Sequence, residues 1–134
     1  MRLNWDNYLM EIAKIVMKRS TCLRRQTGAV LVKDKRIISI GYNGAPTKLK
    51  HCNEIGCLRL KINITPGERM EICRAVYAEE NTILQAALYG VSTKNSILYT
   101  VLSPCSHCAK SIINAKIKEV VCLKNILIIL VLNC

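Results

Sequence analysis

Phenylalanine is absent from this chain of 134 residues, and all aromatics together make up only 4% of it. Its core must therefore be packed from aliphatic side chains, which the 51% hydrophobic fraction supplies. Acidic residues are also scarce, nine against twenty Lys and Arg. The resulting net charge of +11 favours an anionic partner, nucleotide phosphate or nucleic acid, with a merely solvated basic surface as the plain alternative. No apolar signal core or cleavage motif follows Met1-Arg2-Leu3-Asn4-Trp5-Asp6, which argues against export and for a cytoplasmic protein. The longest apolar run, residues 126–132, is far short of the ~20 residues that span a bilayer, so no transmembrane segment and no membrane partner are expected. A chain of this length is expected to form one compact domain.

What is abundant is cysteine, with eight at positions 22, 52, 57, 73, 105, 108, 122 and 134. In a cytoplasmic chain clustered cysteines bind metal or stay reduced more often than they form a disulfide framework.

A first helix is marked by Asn4 or Asp6 as its cap and by Tyr8, Leu9, Ile12, Ile15 and Val16 on one face, ending near Ser20-Thr21. Two β-rich runs follow, residues 28–32 and 37–42, joined by the charged turn Lys33-Asp34-Lys35-Arg36. Their uniformly apolar character predicts a sheet covered on both faces. Gly41-Tyr42-Asn43-Gly44-Ala45-Pro46 makes a compact turn where Asn43 either approaches a ligand or simply turns the chain.

Residues 47–73 show no periodicity, and a connection that long in a compact domain is usually functional or held by something. His51, Cys52, Cys57 and Cys73, with Cys22 from the earlier turn, are the candidates to hold it through a structural zinc; separately packed reduced thiols are the alternative. A second helix starts near Tyr77 and stops at Gly90, a strand covers residues 96–101, Pro104 opens a third helix, and a last strand covers residues 119–123. The order αββ, long loop, αβαβ predicts an α/β fold, a sheet layered with helices.

The chemistry lies in Ala78-Glu79 at a helix start and Pro104-Cys105-Ser106-His107-Cys108 26 positions further on. Two thiolates three apart at a helix N-terminus share one face and reach one ion. A zinc hydrolase takes three protein ligands and leaves one position for water. A carboxylate beside them can take a proton from that water and return it to a leaving amine. A lone C-x-x-C is weak, and Glu79 alone could simply complement the helix dipole; together with Pro104 the pattern is that of nucleobase deaminases.

The chain resembles the deoxycytidylate (dCMP) deaminases, in the bacterial branch associated with the competence operon. The matching segments are Trp5-Asp6-x-Tyr8, Arg19-Ser20-Thr21-Cys22-Leu23-Arg24-Arg25-Gln26-x-Gly28, Gly41-Tyr42-Asn43-Gly44-Ala45-Pro46, Gly56-Cys57, Cys73-Arg74, Ala78-Glu79-x-Asn81, Pro104-Cys105-x-x-Cys108-Ala109-Lys110 and Ile117-Lys118-Glu119-Val120. The resemblance implies a cytidine deaminase-like three-layer αβα sandwich with a mixed sheet over residues 1–123. It also implies hydrolysis of dCMP to dUMP and ammonia, a homo-oligomer that is often a hexamer, and control by dCTP and dTTP. By that resemblance Glu79 is the proton shuttle, and Cys105 and Cys108 are zinc ligands. Asn43, Ala78 and Ser103 lie against the nucleotide, and Arg24 or Arg25 contacts phosphate or effector. Cys22 and the His51–Cys57 region correspond to where relatives hold a second zinc.

Three departures stand out. At Tyr77 the family carries His; a phenol with a pKa near ~10 is a poorer zinc ligand than imidazole, so weak or distorted zinc binding and severely reduced activity are predicted. His107 faces another side of its helix and does not substitute. Lys116 replaces a family Gly, at a cost of roughly 1 kcal/mol if its backbone is left-handed. Residues 124–134 form an atypical apolar tail where relatives carry a helix and a last strand; it either pairs back antiparallel or remains an exposed segment. Such lapses suggest relaxed selection. Two alternatives remain, a catalytically dead nucleotide-binding homologue and a tRNA-adenosine deaminase relative. The 41–46 turn and the cysteine-bearing insertion count against nucleic acid.

Overall fold

The computed structural model describes residues 1–123 and the backbone of residues 129–130. A five-stranded mixed sheet runs in the order β2-β1-β3-β4-β5, with β1 Gly28–Lys33, β2 Arg36–Tyr42, β3 Ile97–Thr100, β4 Glu119–Cys122 and β5 Ile129–Leu130. Only β3 and β4 pair in parallel; β1 pairs antiparallel with β2 and β3, and β4 with β5. The antiparallel alternative for the tail is thus met at residues 129–130, and the rest of residues 124–134 lies outside the described residues.

Alternation along the strands builds two cores. Val30, Val32, Tyr99 and Val121 point to one face, where α1 (Trp5–Met17) lays down Leu9, Met10, Ala13 and Val16. Ala29, Leu31, Leu98 and Val120 point to the other, against α4 (Ala78–Leu88) and α5 (Ser106–Asn114). This is the expected αβα sandwich. Two glycines let the helices in close: a Cβ on Gly28 would lie 2.5 Å from Met17 N, and one on Gly41 would lie 2.6 Å from the Ala78 carbonyl.

Several boundaries differ from expectation. Asn4 caps α1, accepting from Asn7 N at 2.8 Å, whereas Asp6 accepts from the Tyr99 hydroxyl at 2.7 Å and ties the helix to the sheet. Helix α1 ends at Met17, and Tyr8 and Ile15 are exposed while Met10 and Ala13 are buried. The hairpin turn tightens to Asp34-Lys35, both with positive φ, because Lys33 pairs with Arg36. β2 is an edge strand with Ile37 and Ile40 exposed, so of the two hairpin strands β1 alone is covered on both faces. Residues 47–73 contain two single-turn helices, α2 (Cys52–Ile55) and α3 (Leu58–Lys61), and a 3-10 turn at Met70–Ile72. Pro104 precedes α5 rather than opening it, since Cys105 is the N-cap.

Candidate active site

Residues 101–105 leave the carboxyl end of β3, where α/β sheets commonly bind ligands, and bring Cys105 to the start of α5 beside the start of α4. Between them lies a cavity of about 310 Å³, walled by Tyr77, Glu79, Ser103 and Cys105, with Asn43, Arg24, Arg25, Cys22 and Cys73 around it. Most of the residues singled out from the sequence therefore meet in one place. Cys108 stands buried behind the wall, and Ala78 is sealed in the core, its carbonyl accepting from Thr82 Oγ1 at 2.7 Å.

Glu79 occupies the first turn of α4, is only 5% exposed, and accepts from Thr100 Oγ1 at 2.8 Å. Burial pushes its carboxyl pKa up, against the opposing hydrogen bonds from Thr100, from backbone and from Cys108. Burial also pushes the Cys108 thiol up, and the nearby Glu79 and Cys105 add to the effect.

Asn43 is committed to its own loop. Its Oδ1 accepts from Thr27 N at 3.0 Å and from Ser20 Oγ, and its Nδ2 donates to the Arg25 carbonyl at 2.8 Å. It holds residues 25–27 against the end of β2, and so sets where the neighbouring Arg24 stands.

A catalytic zinc needs three protein donors. Cys105 and Cys108 provide two sulfurs within electrostatic reach of each other. The third donor expected from the sequence position is Tyr77, whose hydroxyl donates to the Met70 carbonyl at 3.2 Å. Burial foremost, then Cys73 and Cys105, push its phenol well above the ordinary range, so the ligating phenolate is disfavoured. His107 lies outside, 3.9 Å from Glu80. Among the described residues no three His, Cys, Asp or Glu side chains form a metal-binding group. The donor set as folded does not fit a catalytic zinc.

Of the five second-metal candidates, four are thiols, and three of them act electrostatically on the fourth, Cys52. The Cys52 thiol is pushed up by burial and then by Cys57, Cys22 and Cys73. His51 is otherwise engaged, its Nδ1 accepting from Ala45 N at 3.1 Å and lying 2.8 Å from Thr21 Oγ1.

Two groups escape the sequence reading. Thr100 gives no signal beyond closing a strand. Arg59 sits in the aperiodic 47–73 segment, where its only cue is a position two residues after Cys57; in the structure it is 6% exposed and lines the cavity.

Comparison with known proteins shows the family. The family model for the cytidine and deoxycytidylate deaminase zinc-binding region matches residues 3–124. The deoxycytidylate deaminase of Schizosaccharomyces pombe is 42% identical over 120 residues, which are 90% of this chain and 37% of that protein. ComE operon protein 2 of Bacillus subtilis is 40% identical over 119 residues, 89% of this chain and 59% of that protein. This chain thus spans less than two thirds of the length of either relative. The dCMP deaminase of cyanophage S-TIM5, solved in complex with dCMP and dUMP, superposes with a TM-score of 0.74 at 27% identity, covering 91% of this chain and 82% of that one. With nearly its whole described length matched, the chain belongs to the cytidine and deoxycytidylate deaminase zinc-binding family.

Proposed function

We propose that the cavity binds dCMP and that the chain carries out its hydrolysis to dUMP and ammonia, with turnover held down by Tyr77. The observation that carries this reading is that Glu79, Cys105, Ser103 and Arg24 open onto one cavity. Water adds to the ring carbon bearing the amine, and the amine leaves as ammonia. Glu79 takes a proton from the attacking water and hands it to the departing nitrogen, a role its buried carboxyl and single hydroxyl partner suit. Asn43 and Ser103, which line the cavity, lie against the nucleoside, while Ala78, sealed in the core, does not reach it. A structural zinc held by Cys22, His51, Cys52, Cys57 and Cys73 is a weaker part of the same reading: three of these thiols act on Cys52, yet as folded they form no metal-binding group among the described residues. A cytoplasmic setting, control by dCTP and dTTP, and a homo-oligomer up to a hexamer also belong to it; Leu84, Leu88 and Tyr89, exposed on and just after α4, support the oligomer. No helix among the described residues is long and apolar enough to cross a membrane.

The Tyr77–Met70 hydrogen bond favours a second reading, nucleotide binding without turnover. Zinc content and ammonia release from dCMP, measured for the protein and for Tyr77→His, separate the two. Outer-shell partners of a zinc site are each worth ~10- to 100-fold in affinity, so gaining a ligand should exceed that. Tyr77→His is expected to retain zinc through dialysis and release ammonia at least ~100-fold faster. Unaltered turnover with stoichiometric zinc in both would overturn the role given to Tyr77. Zinc retained by Tyr77→His with no ammonia released would overturn dCMP as substrate.

A further inference from the structure

Between α3, which carries Arg59, and the start of α4 the chain forms a strap along the cavity. From Leu60 to Tyr77 no residue is buried. One foot of the strap is pinned where Ile64 N–H reaches Arg59 O at 2.9 Å. The other is pinned where Gly44 and Val76 exchange backbone bonds of 3.2 and 2.8 Å. Pro66, Gly67, Met70, Cys73 and Ala75, all from the span between the feet, wall the cavity that Glu79 walls.

Within that span the backbone bonds only to itself, Glu68 N–H to Thr65 O, Ile72 N–H to Arg69 O and Cys73 N–H to Met70 O. Among the described residues two hydrogen bonds alone tie it to what surrounds it, and both come from side chains that line the cavity. Arg59 Nε donates to the Glu68 carbonyl at 3.1 Å, and the Tyr77 hydroxyl donates to the Met70 carbonyl at 3.2 Å. The second is long for an O–H donor, whose bonds usually run about 2.5–3.0 Å.

Keeping the strap shut also has costs. Arg69 holds a left-handed backbone, φ 47°, which a residue with a side chain resists. Arg59 Nη2 is buried with no partner, and a buried cation is expensive until water reaches it. Two bonds and little apolar burial stand against these costs, which places the strap among segments that open locally before the fold does. At Gly67, φ 84°, nothing stands within 4 Å of the place a Cβ would take, so the chain can pivot there without a clash.

Entry gives that motion a purpose. A volume of about 310 Å³ is near the lower end of the ~300–1,000 Å³ of small-molecule pockets, and Glu79 is almost wholly covered. We propose that residues 65–75 are a gate that a ligand must lift to reach Glu79, and that Tyr77 is its latch. Closed again, the gate keeps bulk water from the reacting groups, as lids do. The phenol that leaves a catalytic zinc short of a donor thereby gains a task of its own. What the gate admits rests on the nucleotide reading above; that it opens, and that Tyr77 holds it, does not.

The test is hydrogen–deuterium exchange of the full chain and of Tyr77→Phe, which removes the hydroxyl and keeps the ring. The amides of Glu68, Ile72 and Cys73 exchange when the gate opens, and loss of one hydrogen bond should speed them about 2- to 10-fold. The amides of Gly44 and Val76 at the pinned foot, and of Thr82 and Ala86 within α4, should keep the parent's rates. Saturating dCMP should slow the three strap amides in both proteins. Equal rates in the parent and Tyr77→Phe would overturn the latch, as would faster exchange spread evenly through α4. Faster exchange confined to the strap, with no response to dCMP, would uphold the gate and sink dCMP as the molecule it admits.

Discussion

The two ends of the cavity differ in how far the protein satisfies its own polar groups. At the Glu79 end the carboxylate is held by Thr100 and the Tyr77 hydroxyl by Met70. At the Arg24–Arg59 end three donors are buried without acceptors. The phenol of Tyr77 makes this end a hydrogen-bonded wall, because its ring reaches a backbone carbonyl. Nothing comparable has closed the other end. A buried guanidinium with no partner is kept only at a cost to stability, so the two ends differ in what their polar groups leave open to a ligand.

The largest effect that probes this contrast is at Glu79. In a Tyr77→His background, Glu79→Gln should lower ammonia release from dCMP by ~10²–10⁴-fold, the usual worth of a positioned proton carrier, with zinc content and dCMP affinity little changed. In the unaltered background the readout is stability against pH. Burial raises the folded-state pKa of Glu79 above its unfolded value. Its contribution is then fully present below the unfolded pKa and lost as pH rises through the folded one. Urea midpoints of Glu79→Gln should therefore gain on those of the parent as pH climbs from acid towards neutrality. Parallel profiles would mean that the carboxylate is not held neutral and that this end is less closed than described.

Next in size is Asn43, the scaffold of the open end. Asn43→Ala strips the side-chain partner from Thr27 N and the Arg25 carbonyl, while Ser20 Oγ keeps the Asn43 backbone carbonyl at 3.0 Å. Leaving such groups unsatisfied costs about 1–3 kcal/mol, read from denaturant unfolding. The same variant should weaken dCMP, because the loop that carries Arg24 and Thr27 loses its tether. Unaltered dCMP affinity after Asn43→Ala would leave the open end independent of this scaffold.

The closed end is far more legible in the sequence than the open one, for physical reasons. Glu79 and Cys105 sit at helix starts, where capping and spacing leave marks in a linear pattern. The strand alternation around Leu31 and Leu98 is equally plain. Arg59 leaves no such mark: its segment has no periodicity, and burial of a lone arginine runs against its usual exposure. The face of α1 is misread for a related reason. Tyr8 and Ile15 complete an apolar stripe, yet small Ala13 is what faces the close approach at Gly28. Which residues a helix buries depends on how near the sheet lets it come, and one strand cannot announce that to another.

The smallest expected effect lies away from both ends and serves as their control. Helices α4 and α5 stop in the same way. Gly90 N–H reaches Ala87 O at 3.1 Å and Val91 N–H reaches Ala86 O at 2.9 Å; Lys116 N–H reaches Ile113 O at 3.0 Å and Ile117 N–H reaches Ile112 O at 3.3 Å. Both capping residues are left-handed, φ 69° at Gly90 and φ 60° at Lys116, but only the glycine takes that conformation freely. Ile117 then packs beside Ile112 in the α5-side core, so the turn is retained despite the lysine. Lys116→Gly should stabilise the fold by about 1 kcal/mol, or roughly 4 °C in thermal midpoint. Turnover of dCMP and its affinity should not move. If the added stability alone raised turnover, a loose fold rather than Tyr77 would be limiting the closed end, and the contrast between the two ends would be one of rigidity instead of chemistry.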